Sequence, residues 1–442
     1  MGLNLRKGII LVLYLLVFTQ PMVEIIHSTN TINSLKNSVN YDGNHNLTKR
    51  NNHAGIIVES GIWRNSTLQE KISVYIEDLE DIGYSVVISY NNTNTLEEIK
   101  SQLKAWYEIY NIVGAVLIGN IPYALYSNNS AESFICELYL MDLDGCWLDC
   151  YNQDGIFDTH ISTETGDIYP EIFIGRIDAT NRTFGRNNCI EEILSLLDRI
   201  HLFHNGNLVR KHQALIYTDD SWIAWSNGTS GNLPRIMKSA YKNQTCVFYP
   251  SNSTNSEDWL NRISQNFEWC HLSAHSNAEG HTFGENGNEG NISSKSIHDV
   301  QPKISFYNLF CCSAGDWRVN DCLALTYLFS SDFTLSVICS TKTGGMIIKG
   351  CRYFYGSLAK GNSIGESFHK WFLKMDKYID SYINWFYGMC ILGDPFLAIL
   401  DSAEYKDRIF ITILFSLYIV IIFSLNIMNI YRFKKKQKSR GN

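Results

Sequence analysis

From residue 55 onward, short runs rich in Val and Ile alternate with amphipathic stretches of helical period, and this alternation constrains the fold more than any other feature. Residues 55–60 (GIIVES), 84–90 (YSVVISY) and 113–120 (VGAVLIGN) read as strands, with helices over 67–82 and 95–110 between them. Strands separated by helices pair in parallel through right-handed crossovers, and a parallel sheet needs helices on both faces. After a loop-rich insertion over 136–177, whose last residues (171–177) form a strand, the alternation resumes. Helices are expected over 186–203, 233–241, 257–266 and 364–375, and strands over 213–220, at Cys246, before His275, before Cys312 and over 334–341, with the stretch 390–400 (CILGDPFLAIL) closing the half. The expected fold is α/β, a three-layer α-β-α arrangement with a mostly parallel sheet, in two α/β halves at 54–210 and 211–401. With 45% hydrophobic and 13% aromatic residues in 442, the chain can fill such cores.

The two ends read differently. Arg6 and Lys7 precede an apolar run at 8–18, the layout of a secretory signal over 1–22, without a clear small-residue cleavage site. Residues 23–53 are Asn/Ser-rich and aperiodic, as in a flexible leader. Residues 409–431 are uncharged and apolar, long enough at about 1.5 Å per residue to cross a hydrocarbon core of about 30 Å. The tail 432–442 carries RFKKKQKSR, which holds it on the cytoplasmic side. These ends predict a single-pass membrane protein whose bulk is extracellular or in a secretory or endolysosomal lumen. A lipid-anchor signal would instead end in its apolar tail.

Net charge is −7, and the basic tail and signal leave about −15 for the rest, which argues against a nucleic-acid partner. N-x-S/T sequons at Asn46, Asn65, Asn91, Asn128, Asn181, Asn227, Asn243, Asn252 and Asn291 agree with a secreted glycoprotein. All twelve cysteines fall between Cys136 and Cys390. In an oxidising compartment several should pair, and Cys146 and Cys150 flank a turn suited to a local bridge.

Two stretches carry chemistry. Residues 304–317 (ISFYNLFCCSAGDW) read as a buried strand opening into a loop at Cys311 and Cys312, and 269–283 (WCHLSAHSNAEGHTF) as a strand ending at His275 and Ser276. Thiol acyl transfer needs a thiolate, a nearby His to generate it and to protonate the leaving amine, and backbone donors for the oxyanion. Small residues follow both candidates, so a carbonyl can approach the backbone. Side chains alternate along a strand, so only one of Cys311 and Cys312 can face the site. A metal site built from Cys311, Cys312, His271 and His275 lacks a close ligand set. Asp149, Asn152, Asp154 and Asp158 space oxygen-bearing side chains around Gly155, a loop suited to a hard cation such as Ca2+ without a full EF-hand pattern.

Over residues 112–400 the chain resembles the gingipain-like cysteine peptidases of the caspase-fold group. The resemblance rests on CSAGDW at 312–317, GDIYPEIFIGRI at 166–177, LGDPFL at 392–397 and YTDDSW at 217–222, in the family's order. It implies a caspase-like sheet, a polypeptide substrate, no required cofactor and a thioester acyl-enzyme. It implies Cys312, rather than Cys311, as nucleophile, His275 as general base and then acid, and the amides of Ser276 and Cys312 as oxyanion donors. Ser276 stands where the family carries glycine. The resemblance also implies Glu137 as a carboxylate of the specificity pocket, favouring Arg or Lys before the scissile bond. The expected function is that of a membrane-anchored cysteine endopeptidase. The alternatives are a legumain-like membrane-bound transamidase and a catalytically inactive peptidase-fold surface glycoprotein.

Overall fold

Strands buried on both faces dominate the computed structural model, which describes residues 52–399 apart from 91–94, 128–131, 186–187, 209, 226–231, 248–253, 345–349 and 376–385. Ten strands make the central sheet: β1 (His53–Val58), β2 (Ser85–Ser89), β3 (Ile112–Ile118), β4 (Phe173–Ile177), β5 (Ala214–Thr218), β6 (Gln244–Val247), β7 (Phe267–Ser273), β8 (Ile304–Leu309), β9 (Ser336–Ser340) and β10 (Met389–Gly393). Their order is β6-β5-β7-β8-β9-β10-β4-β3-β1-β2. Neighbours run parallel except β9 and β10, which are antiparallel.

The helices start where side chains can cap them. Asn65 accepts from the Leu68 amide at the head of α1 (Ser66–Asp81). Thr95 and Glu98 close a capping box on α2 (Leu96–Tyr110), which stops at left-handed Asn111. The chain steps from β1 to β2 in one direction and returns past β1 to β3, so right-handed crossovers set α1 and α2 on opposite faces. On the α1 face lies α3 (Cys189–His204), joined to it where His201 Nδ1 meets the Asp78 carboxylate at 3.0 Å. The expected three layers and mostly parallel sheet are therefore present.

Strands and helices expected from the sequence occur with shifts of one or a few residues at their ends. Helices not expected from the sequence include α4 (Leu323–Phe329) and α5 (Cys351–Leu358). Every residue of α4 is buried, so it has no polar face and no helical period to read. The two expected halves share one continuous sheet, because β10 fills the place between β9 of one and β4 of the other. At that seam the Tyr75 hydroxyl of α1 donates to Asp394, 2.8 Å away, and Asp394 also accepts from the Phe396 amide at 2.8 Å.

Among the described residues no helix is long and apolar enough to cross a membrane. The signal 1–22, nearly all of the leader, the expected span 409–431 and the tail 432–442 lie outside them. The structure holds no disulfide between Cys146 and Cys150, where a local bridge is expected.

The Tyr75–Asp394 bond leads to a stability prediction. Tyr75→Phe leaves a buried carboxylate short of one donor and should lower unfolding free energy by about 1–3 kcal/mol, read from urea melts. An unchanged midpoint would show that the bond does not hold the seam.

Candidate active site

Three adjacent parallel strands, β5, β7 and β8, build the site. The β7–β8 register runs from Phe267 opposite Ile304 to Leu272 opposite Leu309. Past that last pair each chain runs on three residues, to His275 and to Cys312. On the other side of β7, Ser273 is paired with Thr218, and the Asp219 amide donates to the Ser273 carbonyl at 2.9 Å. Asp219, His275 and Cys312 therefore come to one edge of the sheet from three neighbouring strand ends, where open parallel sheets present their sites. An open pocket of about 300 Å³ lies there, lined by His275, Ser276, Asn277, Thr282, Gly284 and Asn286. The His275 ring stands 5.8 Å from that of Trp222.

The paired cysteines separate by face. Cys311 is fully buried, and burial pushes its thiol well up, whereas Cys312 is half-buried at the cleft. The Ser276 hydroxyl donates to the Cys312 carbonyl, tying the two strand ends together. Ser276 lies in a short antiparallel pairing with residues 280–282 and has no positive φ, so its Cβ causes no backbone strain.

After Cys312 the chain turns sharply. Ser313 is left-handed, with φ 50°, and its amide donates to the Lys342 carbonyl at 3.1 Å. The Gly315 amide donates to the Ser340 carbonyl at 2.9 Å, and a Cβ on residue 315 would stand 2.5 Å from Cys339 Sγ. That contact explains the glycine of the CSAGDW turn. Asp316 is bridged to Arg318 at 2.7 Å. Trp317 rests on the Arg176 guanidinium, 5.3 Å from ring centroid to Cζ, and its carbonyl accepts from Asn181 Nδ2 at 2.7 Å.

Burial raises the Cys312 pKa; the Gly344 amide opposes the shift and the charge of Glu132 adds to it. Cys312 is therefore held toward its thiol form. Burial also raises the Asp219 carboxyl, against hydrogen bonds from Ser221 and the Gly284 amide and the charge of His275. Asp219 thus lies within charge–charge reach of His275.

A sequence profile of peptidase family C25 matches residues 62–400. The chain belongs to peptidase family C25. It is accordingly a cysteine-type peptidase whose substrates are polypeptides. Gingipain R (RGPB), an Arg specific cysteine proteinase, shares the fold: TM-score 0.57 at 14% identity, over 80% of this chain and 79% of that one. Two other structures carry no weight at a TM-score of 0.18. They are a transcription regulator like protein from Staphylococcus haemolyticus (11% identity, 78% of this chain, 99% of that one) and a substrate-binding periplasmic protein from Ralstonia solanacearum (10%, 65% and 70%). No curated protein matches.

Other expected positions of the family C25 chain lie elsewhere. Glu137 is buried, with Oε1 2.8 Å from Arg176 Nη2, so it supports the Arg176–Trp317 stack and is no open pocket carboxylate. The cation loop is closed by its own backbone. Asp149 accepts from the amides of Gln153 and Gly155, Asp158 from those of Cys150 and Tyr151, and Asn152 donates to Asp154. Asp149, Asp154 and Asp158 do not converge on a common point. The carboxylates that do are Asp142, Asp144 and Glu171, and separately Asp219, Asp220 and Glu289. A hard cation would find oxygen ligands at the first group, where burial lifts Glu171 to about 7. His271 turns inward to the Tyr355 hydroxyl at 2.6 Å, and burial drops it to about 3, away from any shared metal site with Cys312. Asp219 had no role in the sequence reading; its signal was an acidic pair ending a buried strand, in YTDDSW.

The raised thiol fixes a pH dependence. Only the thiolate is alkylated, and its fraction rises tenfold per pH unit below the pKa. Iodoacetamide should therefore label Cys312 more slowly at pH 7 than a free cysteine of pKa about 8.5, with a rate climbing up to and beyond pH 9. Rapid labelling that is flat from pH 6 to 8 would reveal a preformed thiolate instead.

Proposed function

We propose that this protein is a cysteine endopeptidase working through His275 and Cys312. The observation that supports the proposal is that His275 and Cys312 follow the ends of the paired strands β7 and β8, where the Ser276 hydroxyl donates to the Cys312 carbonyl. His275 takes the Cys312 proton, the sulfur attacks the substrate carbonyl, and the amides of Ser276 and Cys312 receive the developing oxyanion. His275 then protonates the leaving amine, and water hydrolyses the remaining thioester. Asp219 acts as a positioning residue behind the imidazole. The chemistry asks for no cofactor.

Asp220 and Glu289 converge with Asp219 around Gly284 of the pocket and suit a cationic substrate side chain, in keeping with the fold likeness to an Arg specific proteinase. The uncharged run 409–431 and the basic residues after it support anchoring by a single C-terminal span, with the enzyme outside the cytosol.

Purified protein given fluorogenic peptides with Arg, Lys or neutral residues before the scissile bond tests the reading. Cys312→Ala and His275→Ala should each lose at least about 10³-fold in kcat/KM, and Asp219→Asn about 10²-fold, mainly in kcat. Full activity in Cys312→Ala would reject the mechanism. A ligated product without hydrolysis, on adding an amine acceptor, would move the protein to the transamidases.

A further inference from the structure

Behind the nucleophile turn, the antiparallel strands β9 and β10 carry cysteines in direct opposition. Cys339 and Cys390 are register partners, their Sγ atoms are 3.5 Å apart, and both side chains are buried. Directly opposed residues of antiparallel strands have Cα atoms about 4.5–5.5 Å apart, within the roughly 4.4–6.8 Å that a disulfide spans. Rotation of the two side chains and a small approach of the strands would therefore bring the sulfurs to bonding distance. The pair also sits where it matters for the site, because Gly315 of the nucleophile turn lies directly on Cys339 Sγ.

We propose that Cys339 and Cys390 form a cross-strand disulfide, made by exchange with a small disulfide oxidant such as oxidised glutathione, and that this bond fixes the floor on which the nucleophile turn rests. One cysteine thiolate attacks the oxidant's sulfur–sulfur bond, forming a mixed disulfide and releasing one glutathione thiolate. The second cysteine thiolate then attacks the cysteine sulfur of that mixed disulfide and releases the other. Two electrons pass from the cysteine pair to the oxidant, and the two cysteine protons end on two glutathione thiols. Both sulfurs are sealed from solvent in the folded protein, so the exchange takes place while β9 and β10 are apart, and the finished bond resists external reductant. It closes a loop that includes α5, the helix Ile364–Phe372 and Gly344, whose amide faces the Cys312 sulfur. Cys312 stays outside the bond as a free thiol.

The test uses the full chain, folded either with a reduced and oxidised glutathione mixture or with dithiothreitol. Each sample is denatured, alkylated with iodoacetamide without reductant, digested and mapped by mass spectrometry. The glutathione sample should yield a peptide pair linked through residues 339 and 390, with Cys312 alkylated. Its Tm should exceed that of the dithiothreitol sample by several degrees, and Cys390→Ala should abolish that difference. Alkylation of both cysteines in the glutathione sample, or linkage of either to another cysteine, would overturn the proposal, as would a Tm difference that survives in Cys390→Ala. None of these readouts depends on catalysis, so they stand apart from the peptidase mechanism.

Discussion

The parallel hydrogen-bond ladder of β5, β7 and β8 is the constraint on which the rest depends. A one-residue slip in such a ladder exchanges the faces of every side chain. Here it would turn Cys311 to the cleft and bury Cys312 in the core. The slip is resisted because β7 carries polar side chains with fixed partners on both faces, Trp269 and His271 on the Tyr355 hydroxyl and Glu268 on His212. Which of Cys311 and Cys312 is buried is thus decided by packing far from the sulfur itself.

What the ladder delivers, the supporting residues hold. Glu137 pairs with Arg176, Arg176 carries Trp317, Asn181 binds the Trp317 carbonyl, and Arg182 reaches Asp321 at 2.7 Å just beyond the turn. Taking such ion pairs out of water costs free energy that their attraction only partly returns. Their contribution here is orientation, since they fix a turn containing a left-handed serine. The Gly-Arg strand motif at 175–176 is thus in part a brace for the Cys312 turn.

Local patterns made the sheet legible, because burial on both faces leaves continuous apolar runs such as 113–120 and 304–310. The Cys312 turn was legible through the family's Cys-x-x-Gly-Asp-aromatic pattern, and the structure supplies a reason for its glycine, which lies on Cys339 Sγ. Partnerships across the fold were not. Glu137 looks like an open loop carboxylate until Arg176 is seen beneath it, and Asp149 and Asp158 look like cation ligands until their own loop amides are found on them. Asn181 sits in a sequon, yet its side-chain nitrogen is engaged by the Trp317 carbonyl. Asp219 escaped notice because its meaning comes from the neighbouring strand, 56 residues away in the chain.

The placement of β10 bears on how the protein is made. It is the last strand of the sheet in the chain, but it lies between β9 and β4, well inside the sheet. Until it is synthesised, the two flanking strands present open backbone edges, the kind of surface that pairs with other chains. A nascent or truncated chain ending before residue 389 would therefore be sticky and would lack the antiparallel neighbour of the strand supporting the nucleophile turn. Ribosomal synthesis itself thus delays completion of that support until residues 389–393 have emerged.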